Sequence, residues 1–525
     1  MMRKWMVAGA GFLLMTLLAS AGVSAAWAAP QAPAGPQEKP AYTMAEYNAY
    51  QAAANEKNPA QRVKLLEDFV AKYPSSTLLI YAYNALWGTH YNDLRNFPKT
   101  IENIDRLLTF GDKVDLTSRL RAQYYRASAF HASFSDKAPD AKTQAAAARD
   151  AAQKGIQMLG QWTKPEGATD EQYAESKKLF AALFNYTVGF AAMQGKDCKG
   201  AVDGFKAALA IDATAGLTWF RLGVTYLLGQ QPYTITAVSR TSNVVTVTLA
   251  SGSCAPIWQV GQEIIIGGMT DATFNGRFAI ASVGSATSFA YAQTAANGSS
   301  SGGTASLDPP QYMDGFWALA RSIALKGPSE AQVRDYLRKQ LQRYQQTGCD
   351  KLLTDQMNEL LSLAAASTDR PTTYKIPSAA ELDAARQNMT IISLIADLKG
   401  SGERAKLVWL AACGLEFPDV PAKVIQATSG DAIVTLKLFT GATSEEIEVG
   451  TTANLEVRIE GQPEARRIKK DDLLRFTGTL ADYTPDPFLL RWEKAKANPE
   501  DIPEEKAAPG KKAPTKRPPK KPPSR

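Results

Sequence analysis

Histidine is nearly missing from this chain, with two in 525 residues, His90 and His131. Both fall in stretches of helical periodicity, where a single imidazole is far more often packed than catalytic. No G-x-S-x-G, H-E-x2-H, P-loop or G-x-G-x2-G motif stands in a strand-turn-helix context. The pair Gly267-Gly268 follows a candidate strand, but no phosphate-binding helix comes after it. Cysteine is equally sparse: Cys198, Cys254, Cys349 and Cys413 lie far apart, and without a C-x2-C pair a zinc site is disfavoured. Four cysteines allow three full pairings. Cys349 with Cys413 is the preferred one, because both lie in one helical segment, and buried free thiols stay equally open. Asp350, Asp355 and Glu359 share a helix face and read as solvated. These absences point away from an enzyme, and no cofactor or metal is expected.

Long apolar runs are missing too, except at the start. Arg3-Lys4 is a basic n-region, Val7 to Leu18 an apolar h-region and Ala26-Trp27-Ala28 an A-x-A site, which together describe a cleavable signal peptide over residues 1–28. An uncleaved signal anchor is the alternative. No later run approaches the ~18–20 apolar residues of a membrane-spanning helix, so the expectation is a periplasmic or secreted protein that does not span the membrane. The net charge of +7 sits in the tail, where residues 505–525 hold eight cations against Glu505 alone. The rest is near neutral, which disfavours nucleic acid as a partner. The Pro/Lys tail, 498–525, cannot bury a core and is expected to be disordered. It offers an electrostatic contact to an anionic surface.

After a Pro-rich linker over 29–40, helical periodicity holds across 41–232. Apolar stripes at Tyr47, Tyr50 and Ala54, then at Val63, Leu66, Phe69 and Val70, end at Tyr73-Pro74. Leu86-Trp87-Gly88-x2-Tyr91 precedes a helix with Pro98 in its first turn. The clearest pattern is Ala201-x3-Phe205-x2-Ala208, followed by Trp219-x2-Leu222-Gly223-x2-Tyr226, with Gly189 about 34 residues before Gly223. This pattern resembles the tetratricopeptide repeat, in which paired helices stack because neither buries its apolar face alone. About four or five hairpins are expected, enough for a solenoid.

From Tyr233 the period changes to two. Val245, Val247 and Leu249 alternate with threonines, and further strands are expected at Glu263–Ile266, Arg277–Val283 and Thr287–Ala292. The segment 233–308 thus reads as a β module, similar to small modules of phage tail and secreted bacterial proteins, ending in a Gly/Ser stretch that is a flexible hairpin tip or an exit linker. Helical periodicity resumes over 309–415, and Phe316, Leu319, Ala320 and Ile323 supply the helix that Trp219–Tyr226 lacks. The β module is therefore an insertion in a hairpin loop, which such loops tolerate. One later helix is expected over Ala379–Lys399. Residues 421–497 carry five short strands, a small barrel. Phe476-Thr-Gly-Thr-Leu480 with Tyr483 and Asp486-Pro487-Phe488 resembles OB-like domains of the tRNA-anticodon-binding type.

The expected fold is multidomain and mainly α: a tetratricopeptide-like α-solenoid, an inserted all-β module and a small OB-like β-barrel. The repeat resemblance implies a protein or peptide partner gripped by the concave helical face. The matching positions are Tyr186, Phe190 and Met193 in one repeat and Phe220, Val224 and Leu227 in the next, with packing inside the chain as the competing role. The expected function is a non-enzymatic exported adaptor. The alternative is a glycan- or surface-polymer-binding protein that uses the β module or the barrel. The basic run Arg466-Arg467-x-Lys469-Lys470 reads as a solvated turn. Trp492, Phe476 and Phe488 fit a barrel core as well as a stacking platform.

Overall fold

The computed structural model describes residues 42–228, 232–250, 258–285, 287–308, 312–345, 349–400, 402–430 and 432–504. The signal peptide, the Pro-rich linker, the tail beyond Glu504 and Cys254 lie outside the described residues. The chain is a multidomain mixture of many helices and two barrel-like sheets. It divides into two compact units, one running to Leu337 with Glu359–Lys375 added, the other made of Arg338–Asn358 and the residues from Ile376.

In the first unit α1 (Met44–Asn55), α2 (Pro59–Lys72), α3 (Leu79–Asn92), α4 (Phe97–Leu108), α5 (Leu116–Ser133), α6 (Ala141–Gln161), α7 (Asp170–Gln194), α8 (Cys198–Ile211) and α9 (Gly216–Leu228) follow in order. Each packs on the next. Their starts are written locally: Thr43 and Thr169 form capping boxes, and Asn58, Asn96, Asp115 and Asp197 accept first-turn N–H groups. Small residues set the spacing of α7 and α8. A Cβ on Gly204 would lie 2.5 Å from the Gly189 backbone nitrogen, and one on Gly189 would lie 3.0 Å from the Ala201 carbonyl. Phe205, fully buried, fills the adjoining space, and burial of such a ring is worth about 2–3 kcal/mol.

Chain then leaves the helices as β1 (Tyr233–Thr241), β2 (Val244–Leu249), β3 (Glu263–Gly267), β4 (Gly276–Ser285), β5 (Ser288–Ala292), β6 (Gly298–Ser300) and β7 (Thr304–Asp308). Antiparallel pairing runs β1-β2-β5-β4-β3-β7 and returns to β1, closing a ring, while β6 adds to the far half of β1. Val245, Val247 and Leu249 turn inward with Ile264, Ile266, Phe289 and Tyr291. The Gly/Ser stretch expected to be a hairpin tip or an exit linker supplies β6 and the three residues between it and β7.

Helices resume with α10 (Tyr312–Ala324), which packs on α9. A Cβ on Gly223 would lie 3.0 Å from the Gly315 carbonyl and 2.8 Å from Leu319 Cγ. One on Gly315 would meet Leu227 and Tyr226 at 2.7 and 3.3 Å. Gly223, Gly315 and Leu319 therefore repeat the parts of Gly189, Ala201 and Phe205.

After α11 (Glu330–Gln345) and α12 (Asp350–Ala366) the periodic stretch expected to be one helix is two, α13 (Ala379–Arg386) and α14 (Ile391–Lys399). Asn388 takes a positive φ of 63°, and Thr390 with Ser393 makes a new capping box, so the local caps override the apolar period. Next come α15 (Glu403–Ala412), β8 (Glu416–Ser429), β9 (Ile433–Phe439), α16 (Ser444–Val449), β10 (Leu455–Glu460), β11 (Leu473–Pro485) and β12 (Phe488–Ala497). The strands of the second unit close a barrel in the order β10-β12-β11-β8-β9, with β10 and β12 parallel and the other pairs antiparallel, compatible with an OB-like barrel. Its core holds Leu436, Val457, Phe476 and Trp492. Residues 498–504, expected to belong to the disordered tail, instead close against β11: Asp501 accepts from the Arg475 backbone at 2.8 Å and from its Nε at 2.9 Å.

Cys349 and Cys413 form a disulfide with Cα atoms 5.6 Å apart across 64 positions. A loop of that length contributes about 4 kcal/mol in the chain-entropy treatment. Cys198 is also disulfide-bonded. No described helix is long and apolar enough to cross a membrane.

Candidate functional site

The residues expected to line a partner groove come together, but mostly inside the helix array. Tyr186, Phe190, Met193 and Leu227 are buried; Phe220 and Val224 are half-buried. Tyr186 and Phe190, one turn apart on α7, receive His131 from α5 at ring distances of 4.9 and 5.1 Å. Arg221 on α9, itself buried, stands 5.1 Å from the Phe190 ring and 5.9 Å from that of Phe220. Leu227 packs on Gly315. The shared face of α5, α7 and α9 is thus joined by an aromatic and cationic cluster.

Its electrostatics follow from burial. The Thr187 hydroxyl donates to the Leu183 carbonyl at 2.7 Å, so His131 Nε2, at 2.9 Å from the same oxygen, carries a hydrogen and donates to it. Burial and then the charge of Arg221 push the His131 imidazole down to about 3. Burial raises the Tyr186 phenol, and Arg221 opposes it. A neutral imidazole held at 2.9 Å to a threonine is a packing group rather than a base. His90 on α3 is buried with both ring nitrogens lacking a partner, and burial lowers its pKa.

An open groove lies elsewhere on the same array. About 380 Å³ is bounded by Tyr42, Leu78, Ile80, Tyr81 and Asn84 on one side and by residues 113–118 at the start of α5 on the other. Tyr81 is 38 % exposed, an aromatic that nothing in the helix packing requires to face solvent. Its edge is fixed from behind by Tyr50, 6.3 Å away, and Asn84 is oriented by the Trp87 indole, which donates to its Oδ1 at 3.0 Å. Tyr81 and Asn84 are not among the positions that the sequence pattern singles out. The signal was the same Leu86-Trp87-Gly88 signature, which places both residues on the helix that the repeat pattern assigns to the inner face.

The barrel presents a different surface. Neighbouring outward positions alternate in sign around it: Lys437 opposite Glu456, Glu456 opposite Arg491, Arg491 opposite Asp482. Arg491 reaches Asp482 at 3.3 Å and Glu456 at 3.9 Å, and Lys351 reaches Asp482 at 3.0 Å. A face neutralised strand by strand gives no field to draw a polyanion. Phe476 and Trp492 lie in the core, and Phe488 is half-buried with Lys399 Nζ 5.3 Å from its ring. Arg466, Lys469 and Lys470 are exposed on a short helical turn and the loop after it. In the β module, Trp258, Phe274, Phe289 and Tyr291 are likewise core residues.

Among the described residues no group of three or more His, Cys, Asp or Glu side chains could hold a metal ion. No family model matches the chain, and comparison with curated proteins gives no match.

Proposed function

We propose that the chain is an exported, non-enzymatic scaffold of the tetratricopeptide-repeat type that holds a protein or peptide partner on its first helices. The observation that carries this reading is the groove beside α3, open to about 380 Å³ and edged by a solvent-facing Tyr81. Aromatic anchors in grooves of this size are where peptide partners gain most of their affinity. The repeated contact of Gly189 with Ala201 and of Gly223 with Gly315 supports the repeat assignment. The Cys349–Cys413 disulfide supports an oxidising compartment outside the cytoplasm. The burial of Tyr186, Phe190, Met193 and Leu227 moves the proposed contact away from those positions and towards Tyr81 and Asn84.

The test is cross-linking and capture from a cell-envelope extract with the full chain. One protein, identified by mass, is expected to be retained by the parent and by Phe220→Ala, and lost at least tenfold with Tyr81→Ala/Asn84→Ala. Equal retention by all three proteins overturns the groove. The alternative, a polymer-binding role for the β module or the barrel, has the exposed run of Arg466, Lys469 and Lys470 but no exposed aromatic platform beside it among the residues described above.

A further inference from the structure

A second cleft, of about 370 Å³, opens between α4, α5 and α6. It shares no lining residue with the groove beside Tyr81 and uses another face of α5, the one carrying Arg119, Gln123 and Arg126. Its apolar floor is Leu108, Ala147, Ala151 and Met158. The charges around it are almost all matched. Arg126 donates through Nε and Nη2 to both oxygens of Asp105 at 2.6 and 3.1 Å, and through Nη1 to the Ala147 carbonyl at 3.5 Å. Lys154 pairs with Asp150 at 2.8 Å, and Arg119 Nη1 with Asp112 at 2.7 Å.

Two polar atoms are left over, and both belong to residues that line this cleft. Gln123, 4 % exposed, has its Oε1 buried without a partner, and Arg119 has its Nε in the same condition. Leaving a buried acceptor and a buried donor unmade costs about 1–3 kcal/mol each. One is an acceptor and the other a donor, beside an apolar floor. A peptide unit supplies the complementary N–H and C=O together, and its side chain covers the floor. Both atoms are shielded from solvent, so Gln123 and Arg119 must each turn towards the cleft to admit it; for Arg119 this costs little, because its ion partner Asp112 has a side chain 95 % exposed and such pairs hold by at most about 1 kcal/mol.

We infer that this cleft binds a main-chain peptide unit of an extended partner segment, with Gln123 accepting its N–H, Arg119 Nε donating to its C=O and an unbranched apolar side chain seated between Leu108 and Met158. The inference rests on the peptide-binding reading above and adds a second point of attachment to it.

The experiment uses the purified full chain and a blocked tripeptide, acetyl-Ala-Met-Ala-amide, with N-methylacetamide as a control, followed by isothermal titration and thermal unfolding. The tripeptide is expected to bind and the control to bind at least tenfold more weakly. Gln123→Leu, which keeps the volume, and Arg119→Lys, which keeps the charge but removes Nε–H, are each expected to weaken the tripeptide tenfold or more. Gln123→Leu is also expected to leave the unfolding temperature unchanged or raised, because it removes an orphaned acceptor. A loss of stability in Gln123→Leu with no peptide binding by the parent assigns the amide to an internal water and overturns the site. Equal binding of tripeptide and control, or binding unchanged in both variants, overturns it as well. Tripeptide binding together with partner capture that survives Tyr81→Ala/Asn84→Ala leaves this cleft standing and removes the groove. The converse result, with capture lost in that variant and no tripeptide bound, removes the cleft alone.

Discussion

The pairs α7/α8 and α9/α10 use the same contact with very different connections. Gly189 and Ala201 are 12 positions apart, whereas Gly223 and Gly315 are 92 apart, yet both pairs close with a glycine of the first helix against a small residue and a large apolar neighbour of the second. The closeness of two helices is therefore a property of the surfaces that meet, not of the chain that joins them. The cost of a longer connection grows only logarithmically, and here it is smaller still, because β1 and β7 lie side by side with Tyr233 paired to Ala305. A folded module whose ends adjoin holds the loop mouth shut.

The comparison breaks most sharply at its small residues. In α7/α8 a Cβ at Gly204 would press on the Gly189 backbone at 2.5 and 2.6 Å, while at Gly223 the nearest atoms are the Leu319 side chain at 2.8 and 2.9 Å. Backbone cannot step aside and a leucine can. Gly204→Ala should therefore cost about 3 kcal/mol and Gly223→Ala about 1 kcal/mol in urea unfolding, within the range of overpacked cores. Equal or reversed losses would show that backbone contact at Gly204 is not what sets the cost.

The next largest effect concerns what the two pairs share, the cluster of His131, Tyr186, Phe190 and Arg221. His131 is held neutral with its pKa lowered to about 3, below its value of about 6.5 in an unfolded chain. Its contribution is therefore complete above pH 6.5 and falls as the pH drops towards 3. Between pH 7 and pH 5 the loss should be about 2 kcal/mol, and the slope of stability against pH over that range should flatten in His131→Leu. A variant that keeps the full slope would place the acid sensitivity elsewhere.

The smallest change is expected from the largest edit. In a Cys198→Ala background, which takes the disulfide of that residue out of both chains, replacing residues 233–308 by a four-residue Gly/Ser linker should alter the stability of the helical part by no more than about 1 kcal/mol. Gly315→Ala should then cost the same in the shortened chain as in the parent, measured by denaturant midpoint. A Gly315→Ala penalty that vanishes on shortening would mean that α9 and α10 meet only with the module in place.

What could be read from the sequence follows the same logic. Gly223 and its partners were legible because a close helix crossing leaves a fixed pattern of small and large residues, and Ile433–Phe439 because its buried and exposed positions alternate. The start of β8 was not legible: Pro418 and Pro421 argue against a strand there, and the barrel accepts them because that half of β8 pairs with β11 alone, while β9 takes the half from Lys423 on. The break at Asn388 was hidden by an unbroken apolar period. For the site, the repeat pattern named positions on α7 and α9, and spacing carries no information on depth. Tyr186 and Phe190 are enclosed by His131, Phe130 and Phe134, and nothing in their own spacing marks them as covered while Tyr81 is open.

The interrupted pair also sets a timetable. As the chain grows at roughly 5–20 residues per second, Ala201 follows Gly189 within about 1–2 s, but Gly315 follows Gly223 only after about 5–20 s. For that interval the face of α9 carrying Leu222 and Leu227 has no α10 to cover it, and α8, already made, is its available neighbour. The protein is thus synthesised with a built-in delay in which a finished helix waits for the one that will cover it.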